Sequence, residues 1–171
     1  MLKKDNQKLV NQRDSTVTVL GEARKTNEGL LAMNDGLTKT VEKAAKLKVL
    51  NTKGIAFKLK SSGKEINTDK ASRADMLKIS YTIAENEVAK SGTKVYNVQI
   101  IDSKNNVLGD KKTETFGEKL LTYSFQSTVN YENKTLDVVQ NLSGKDFEKG
   151  AYTVNIFDKD ELVSSTSFTL R

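Results

Sequence analysis

The 171-residue sequence contains no histidine, cysteine, tryptophan or proline. Without His and Cys there is no zinc site of the usual kind, no Ser-His-Asp or Cys-His pair for nucleophilic catalysis, and no thiol redox chemistry. Only carboxylates, lysines, tyrosines and hydroxyls remain, so we expect a protein that is not an enzyme and that holds no metal or cofactor. Without cysteine, no disulfide reports the redox compartment.

No segment of the sequence concentrates charge of one sign. The formal net charge is +6; residues 1–52 hold ten Lys or Arg against six Asp or Glu, and residues 53–171 hold eighteen against sixteen. A nucleic-acid-binding surface normally clusters its basic residues and interleaves them with aromatic ones. Here the more basic segment has no aromatic residue, so we expect no binding to nucleic acid. No apolar run is long enough to cross a bilayer.

The aromatic residues divide the chain near residue 50. All eleven lie between Phe57 and Phe168, which predicts a packed core in residues 53–171 and none in residues 1–50. In the first segment, apolar or small residues recur every seven positions: Leu2, Leu9, Thr16, Ala23, Leu30, Leu37 and Ala44. A heptad repeat of this kind predicts a helical stalk that associates as a coiled coil.

Association of the predicted stalk should be weak, because the second core position of its heptad repeat is often polar. That position carries Asp5, Gln12, Thr26 and Thr40 between the apolar residues Val19, Met33 and Leu47. Each of three glycines, at 21, 29 and 36, costs a helix about 1 kcal/mol relative to Ala, and the β-branched run Thr16–Val19 disfavours helix.

We therefore expect the most regular helix from about Gly29 to Leu50 and a weak homo-oligomer of two or three chains. A frayed helix or disordered tether, and a helix packed on the second segment, are the alternatives.

From Gly54 the apolar period changes from seven to two, which is the period of a strand with one buried face. The alternating sets are Ile55, Phe57 and Leu59; Leu77, Ile79, Tyr81 and Ile83; Tyr96, Val98 and Ile100; Leu121, Tyr123, Phe125, Val129 and Tyr131; Leu136 and Val138; Tyr152, Val154 and Ile156; and Phe168 and Leu170. These sets predict seven or eight strands.

Short polar connections between the sets favour hairpins over helical crossovers. We predict hairpin turns at 102–106, 132–134 and 158–161, and irregular structure or a cross-sheet connection at 61–73 and 143–149. Roughly 120 residues in seven or eight short strands match an immunoglobulin-like sandwich. The predicted fold is therefore mainly β, an antiparallel immunoglobulin-like β-sandwich over residues 53–171 that is preceded by a helical or coiled-coil stalk.

The stretch Lys149-Gly150-Ala151-Tyr152 resembles the entry into the penultimate strand of immunoglobulin-like domains. Such domains often place a Gly two residues before a Tyr whose hydroxyl bonds back to the preceding corner. The resemblance implies structural roles for Gly150 and Tyr152, with the Tyr152 hydroxyl bonded to backbone near residues 143–149. Val154 stands where antibody domains carry Cys, which agrees with a sandwich closed by packing alone.

Most of residues 47–171 also resembles uncharacterised envelope proteins of Bacteroidetes-type bacteria, in which a membrane helix precedes a coiled coil and then this kind of β domain. The resemblance is carried by Lys53-Gly54-Ile55, Arg73-Ala74-Asp75, the 100–109 stretch and the terminal Phe168-Thr169-Leu170. It implies a periplasmic or cell-envelope location and a membrane contact only through an upstream anchor that is absent here. Residues 1–10 contain no apolar core of a signal peptide.

Some proteins of this kind carry a ParA-like partition label. A nucleotide-binding ATPase of that class needs the phosphate loop G-x-x-x-x-G-K-[ST]. Neither Gly63-Lys64-Glu65 nor Gly109-Asp110-Lys111 belongs to such a loop, so we expect no ATPase activity.

Two sets of carboxylates are open to a functional interpretation. Asp158, Asp160 and Glu161 crowd one turn, where their oxygens could bind Ca²⁺, although such residues more often solvate a hairpin. Sugar hydrolysis needs two carboxylates that face each other across a cleft. The available residues are Asp75, Asp102, Glu114 and Asp137, and nothing in the sequence brings any two of them together.

The sequence therefore predicts a non-catalytic structural or protein-interaction module of the bacterial cell envelope. The stalk would set spacing or valency, and the sandwich would bind a protein partner through a sheet edge or a loop. The alternative is a cytoplasmic adaptor, or a partition or nucleoid-associated accessory protein without ATPase activity.

Overall fold

The computed structural model describes all residues, Met1–Arg171. The chain divides into two compact units, Met1–Ala45 and Lys46–Arg171. The first is a single helix, and the second consists of antiparallel strands with one short 3₁₀ helix, Ala71–Arg73. The protein is thus mainly β, with one long N-terminal helix.

Helix α1 spans Leu2–Ala44 without interruption. At a rise of 1.5 Å per residue, its 43 residues extend about 65 Å. The sequence predicts the most regular helix from about Gly29 to Leu50, but the helix is continuous from Leu2 and ends at Ala44. The helix includes all three glycines, whose penalties of about 1 kcal/mol each are small against the cooperative bonding of a long helix.

The β-branched run Thr16–Val19 within α1 is also helical, although its residues disfavour helix. The Thr16 and Thr18 hydroxyls donate hydrogen bonds to the carbonyl oxygens of Gln12 and Asp14, at 2.8 and 2.9 Å. Each hydroxyl thus finds an acceptor one turn back on the helix. The run therefore costs the helix only its modest propensity penalty.

The boundary between the units lies a few residues earlier than predicted. Helix α1 ends at Ala44, and the first strand begins at Val49. Val49 is 6% exposed and belongs to the core of the second unit. Residues 46–50, which the sequence assigns to the stalk, are therefore part of the β unit.

The second unit contains ten strands instead of the seven or eight predicted. They are β1 Val49–Leu59, β2 Glu65–Thr68, β3 Met76–Ile83, β4 Gly92–Ile101, β5 Lys112–Phe116, β6 Lys119–Tyr123, β7 Phe125–Tyr131, β8 Leu136–Ser143, β9 Gly150–Asp158 and β10 Glu161–Leu170. The additional strands β2 and β5 have no buried residue, so apolar alternation does not reveal them.

The strands form two four-stranded sheets and one hairpin. The first sheet has the order β2-β1-β3-β8, and the second has the order β10-β9-β4-β7. All strand pairs are antiparallel, including the separate β5–β6 hairpin. The chain crosses between the two sheets from β3 to β4, from β7 to β8 and from β8 to β9.

Side chains of both sheets build the core. The predicted buried faces of β3, β4 and β9 are confirmed; their buried apolar residues are Leu77, Ile79, Tyr81, Ile83, Tyr96, Val98, Ile100, Tyr152, Val154 and Ile156, each at most 1% exposed. They form two adjoining clusters, and each cluster draws residues from both sheets. The core thus lies between the two sheets.

The prediction of which face of β1 is buried is wrong. Ala56 is 2% exposed, whereas Ile55 and Phe57 are half-buried on the opposite face. The reason lies in the other sheet, where the Phe168 ring occupies the space beside Gly54. A Cβ atom on Gly54 would lie 2.5 Å from this ring. The inner face of β1 must therefore carry small residues.

The predicted connections have mixed outcomes. The 158–161 turn joins β9 to β10 as a hairpin, and residues 143–149 pass between the sheets, both as predicted. The 132–134 segment is not a hairpin, because it leads from β7 in the second sheet to β8 in the first. There Asn133, with φ of 58°, donates its side-chain amide to the Asn86 and Ala89 carbonyls, the former at 2.9 Å. These bonds turn the chain out of the second sheet.

Candidate interaction surfaces

The corner before β9 holds the predicted structural tyrosine. Tyr152 is 1% exposed, and its hydroxyl donates a hydrogen bond to the Glu148 carbonyl oxygen at 2.8 Å. Its ring stacks on Phe168, with ring centroids 5.3 Å apart. Burial raises the pKa of the Tyr152 phenol above its ordinary value. The side chain therefore ties the 143–149 connection to the core.

Gly150 fits this corner because a neighbouring turn leaves no room for a side chain. Its φ is +130°, and an added Cβ would lie 2.4 Å from the Ser103 Cβ. The Ser103 hydroxyl donates a hydrogen bond to the Lys149 carbonyl at 3.0 Å. Gly150 thus permits close contact between the corner and the turn after β4.

Asp102 organises that turn. Its carboxylate accepts hydrogen bonds from the backbone N–H groups of Lys104 and Asn106, at 2.8 and 2.9 Å. Burial acts to raise the pKa of Asp102, but the hydrogen bonds from Asn106 and Lys104 outweigh it and lower the pKa. A carboxylate held in its ionised form by turn N–H groups serves the fold and is a poor general acid.

A cleft of about 290 Å³ opens at the same end of the unit. Its lining includes Asp102, Leu108, Leu142, Phe147, Glu148 and Tyr152. The Glu148 carboxylate accepts a hydrogen bond from the Lys104 ammonium at 2.6 Å. The Asp102 and Glu148 carboxylates are thus engaged with turn residues, and the wall also includes the polar residues Ser143, Lys145 and Asp146.

The other carboxylates considered for sugar hydrolysis do not form a pair in the structure. Asp75 accepts the Leu59 N–H at 2.8 Å, Asp137 accepts the Thr82 hydroxyl at 2.6 Å, and Glu114 accepts the Gln126 amide at 3.3 Å. Each carboxylate is bonded to a neighbouring strand or to the segment beside it. These contacts stabilise the sheets and present no acid–base pair.

The acidic turn at 158–161 is not arranged as a calcium site. Asp160 pairs with Lys119 at 3.2 Å, and Glu161 pairs with Lys46 at 2.7 Å. The hydrogen bond from Lys119 lowers the pKa of Asp160. No group of three or more His, Cys, Asp or Glu side chains is gathered as metal ligands would be. The carboxylates instead fasten this hairpin to the β5–β6 hairpin and to the start of the β unit.

One long side of the β unit is closed by a contact between the sheets. The Thr52 and Ser164 hydroxyls, on β1 and β10, lie 2.7 Å apart in a hydrogen bond. The opposite side lies between β7 and β8 and contains a buried polar network. There the Ser127 hydroxyl accepts hydrogen bonds from the Tyr81 hydroxyl at 2.7 Å and from the Gln140 amide at 3.1 Å.

The apolar alternation of the strands does not reveal this network. A tyrosine on an otherwise apolar face is a signal for it, because a buried phenol usually finds a polar partner. Tyr96 is a counter-example. Its hydroxyl is buried and forms no hydrogen bond, and burial raises its pKa well above the ordinary value. The Tyr96 ring packs edge to face on the Tyr81 ring, with ring centroids 6.0 Å apart.

Helix α1 exposes its whole surface. No residue of the helix is buried, and Leu30, Leu31 and Leu37 are 55, 68 and 60% exposed. Leu30 and Leu37 belong to the heptad seam, whereas Leu31 lies beside it. No helix of the chain combines the length and apolar character needed to span a bilayer.

Comparison with known proteins gives a family and distant structural likenesses. A family model described as a domain of unknown function matches residues 50–171. No curated protein matches the sequence. Two solved structures of β-glucosidase from Kluyveromyces marxianus, selenomethionine-labelled and in complex with glucose, are 16 and 17% identical over 74% of this chain, with TM-scores of 0.43 and 0.42. The chain spans 14% of the length of each.

Proposed function

The chain belongs to the DUF8428 family, defined by a domain of unknown function, and from this premise we propose that it is a non-catalytic structural or protein-interaction module. The helix sets spacing and valency through association with other copies, and the β unit binds a protein partner. The observation that carries the proposal is the exposed heptad seam of a helix with no buried residue.

A coiled coil is the finer form of this proposal. Most of a protein helix's stability comes from packing of its apolar face, and α1 combines a heptad repeat with leucines that are more than half exposed. Burial of a Leu side chain stabilises by about 1.5–3 kcal/mol. Association along the seam would supply this stabilisation to a helix that contains three glycines and several β-branched residues.

For the β unit, the finer proposal is an immunoglobulin-like sandwich. Three features support it: two packed antiparallel sheets, chain crossings between them, and the bond from the Tyr152 hydroxyl to the Glu148 carbonyl at the corner before β9. Such sandwiches commonly serve as binding modules whose end loops and sheet edges face partners.

The bacterial cell envelope is the proposed location, by the resemblance of residues 47–171 to envelope proteins. Fractionation of the native bacterium with immunodetection of the protein tests it, and recovery with the cytoplasmic fraction alone contradicts it. The second candidate function, a cytoplasmic adaptor or accessory partition protein, would then be favoured. Neither function includes ATP hydrolysis, so measurable ATP binding contradicts both.

Sedimentation of the intact chain tests the association. We expect a dimer or trimer at high concentration that dissociates on dilution. The double variant Leu30→Gln/Leu37→Gln removes two seam leucines per chain and should weaken association by at least about 100-fold.

The matched control is Leu31→Gln, because it makes the same chemical change at a neighbouring exposed position outside the seam. It should leave the dissociation constant within about threefold of the unmodified chain. A chain that remains monomeric at all concentrations, or equal effects of the seam and control variants, contradicts the proposal.

A further inference from the structure

Strand β8 forms an edge of the first sheet that lacks the usual protection. Exposed edges are commonly blocked by Lys, Pro, bulges or short length. β8 has eight residues, Leu136–Ser143, and pairs with β3 over all of them without a register shift. Its sequence LDVVQNLS contains no Lys, Arg or Pro, and its one carboxylate, Asp137, is bonded to Thr82 on β3.

The other edges of the two sheets differ from β8. Strand β2 has four residues. Strand β10 has a register shift between Leu162 and Ser164 and contacts β1 through Ser164. Strand β7 is bordered by the β5–β6 hairpin, since Gln126 donates to Glu114 at 3.3 Å. Only β8 is at once long, regular and bare of blocking residues.

The β8 sequence is complementary to itself in an antiparallel arrangement. Directly opposite residues of an antiparallel pair lie on one face of the sheet. Pairing centred on Val139 places the outward-facing Val139 opposite its own copy and Asp137 opposite Asn141. On the inner face it places Leu136 opposite Leu142. No charge meets a like charge, and exposed Val139, 54% accessible, gains an apolar neighbour.

We propose that β8 pairs with β8 of a second copy of this chain about a two-fold axis at Val139, so that two four-stranded sheets become one continuous sheet. One strand pair buries less area than a stable dimer needs, which is about 1,200 Å². The pairing therefore rests on the proposed association of α1, which raises the local concentration of the β units.

The chain's lack of cysteine allows a direct test by a single engineered thiol. In an antiparallel pair, directly opposite Cα atoms lie about 4.5 or 5.5 Å apart, within the range of about 4.4–6.8 Å that a disulfide requires. Intact Val139→Cys, oxidised with glutathione disulfide, should form a disulfide-linked dimer at least tenfold faster than Val88→Cys. Val88 is the matched control because it is a valine of similar exposure, 50%, in the loop between β3 and β4.

A charge exchange at the same position identifies the occupant of the edge. Val139→Lys and Val139→Glu each place like charges opposite one another in the proposed pair, so each variant alone should associate several-fold more weakly than the unmodified chain. A mixture of the two should associate more tightly than either alone. A mixture no tighter than its components excludes a second copy and leaves a foreign extended peptide as the occupant.

The two proposals fail separately. If the chain associates in a manner sensitive to Leu30→Gln/Leu37→Gln but Val139→Cys links no faster than Val88→Cys, the β8 pairing is wrong and the association through α1 stands. If the chain is monomeric and neither cysteine variant forms a linked dimer, both proposals are wrong.

Discussion

The two units of this chain reach a folded state by opposite means. The β unit buries twenty-one apolar residues among its own strands and turns, whereas α1 buries none over its 43 residues. Since burial of apolar surface is the main favourable contribution to folding, the β unit has its own source of stability. The helix buries no side chain within the chain, so its own stability rests on its hydrogen bonds and intrinsic propensity. The proposed association along the heptad seam would supply the apolar burial that the helix lacks.

Separation of the units gives the largest expected effect. Residues 46–171 alone should unfold cooperatively at a denaturant midpoint close to that of the whole chain. A peptide of residues 1–45 at micromolar concentration should lose most of its helical circular dichroism, because dilution reverses the proposed association along the seam. A truncated β unit that is insoluble or unfolds without cooperativity would show that the comparison is wrong.

Truncation of one leucine in each unit should have very different effects on the stability of the β unit. Leu77→Ala, at a side chain with 0% exposure, should lower the free energy of unfolding of the β unit by about 2–5 kcal/mol. Leu31→Ala, at a helix side chain with 68% exposure, should change the free energy of unfolding of the β unit by less than about 0.5 kcal/mol. Tyrosine fluorescence during denaturant titration reports the β unit alone, because all five tyrosines lie within it.

Gly54→Ala tests the small inner face of β1. The new methyl group would meet the Phe168 ring at 2.5 Å, and that ring is stacked on Tyr152. Overpacking of this kind should cost about 1–3 kcal/mol of unfolding free energy. Gly36→Ala is the control, since its added Cβ would contact nothing within 4 Å and should strengthen the helix. A neutral Gly54→Ala would mean that Phe168 can move aside.

Tyr152→Phe tests the corner. Loss of the hydrogen bond to Glu148 should lower the free energy of unfolding by about 1 kcal/mol, the net contribution of one such bond. The comparison variant is Tyr81→Phe, which removes the bond to Ser127 and should have a similar effect. A Tyr152→Phe chain with an unchanged denaturant midpoint would argue against a stabilising role for this hydroxyl.

At neutral pH, Tyr96→Phe should have the smallest effect of these variants on the free energy of unfolding, and it should raise that free energy instead of lowering it. The Tyr96 hydroxyl is buried without a hydrogen bond, so its removal relieves a desolvation cost and should stabilise the β unit slightly.

The same variant alters the response to alkali. Because burial raises the pKa of Tyr96 in the folded state, ionisation of this phenol favours the unfolded chain, and the β unit loses stability as pH rises above the unfolded pKa of about 10. Tyr96→Phe should therefore lose less stability than the unmodified chain between about pH 9 and pH 11. Equal losses would contradict the assignment of this pKa direction.

The sequence alone identified the strands that carry strong apolar alternation. In β3, β4 and β9 every second residue of the buried stretch is apolar, and these residues face the core between the two sheets. An apolar period of two is therefore sufficient to predict which residues are buried. The same reasoning fails in β1, where large residues at Ile55 and Phe57 lie on the outer face. Which face of β1 is buried depends on Phe168, which lies more than one hundred residues later in the chain.

The heptad seam and the change of apolar period near Gly54 are properties of the amino-acid order, and they determined a helical segment followed by a β segment. The tertiary structure decided which sheet each strand joined, that 132–134 crosses between sheets, that the turn carboxylates pair with lysines, and that β8 remains a bare edge. These features depend on contacts between residues far apart in sequence, and local periodicity carries no information about them.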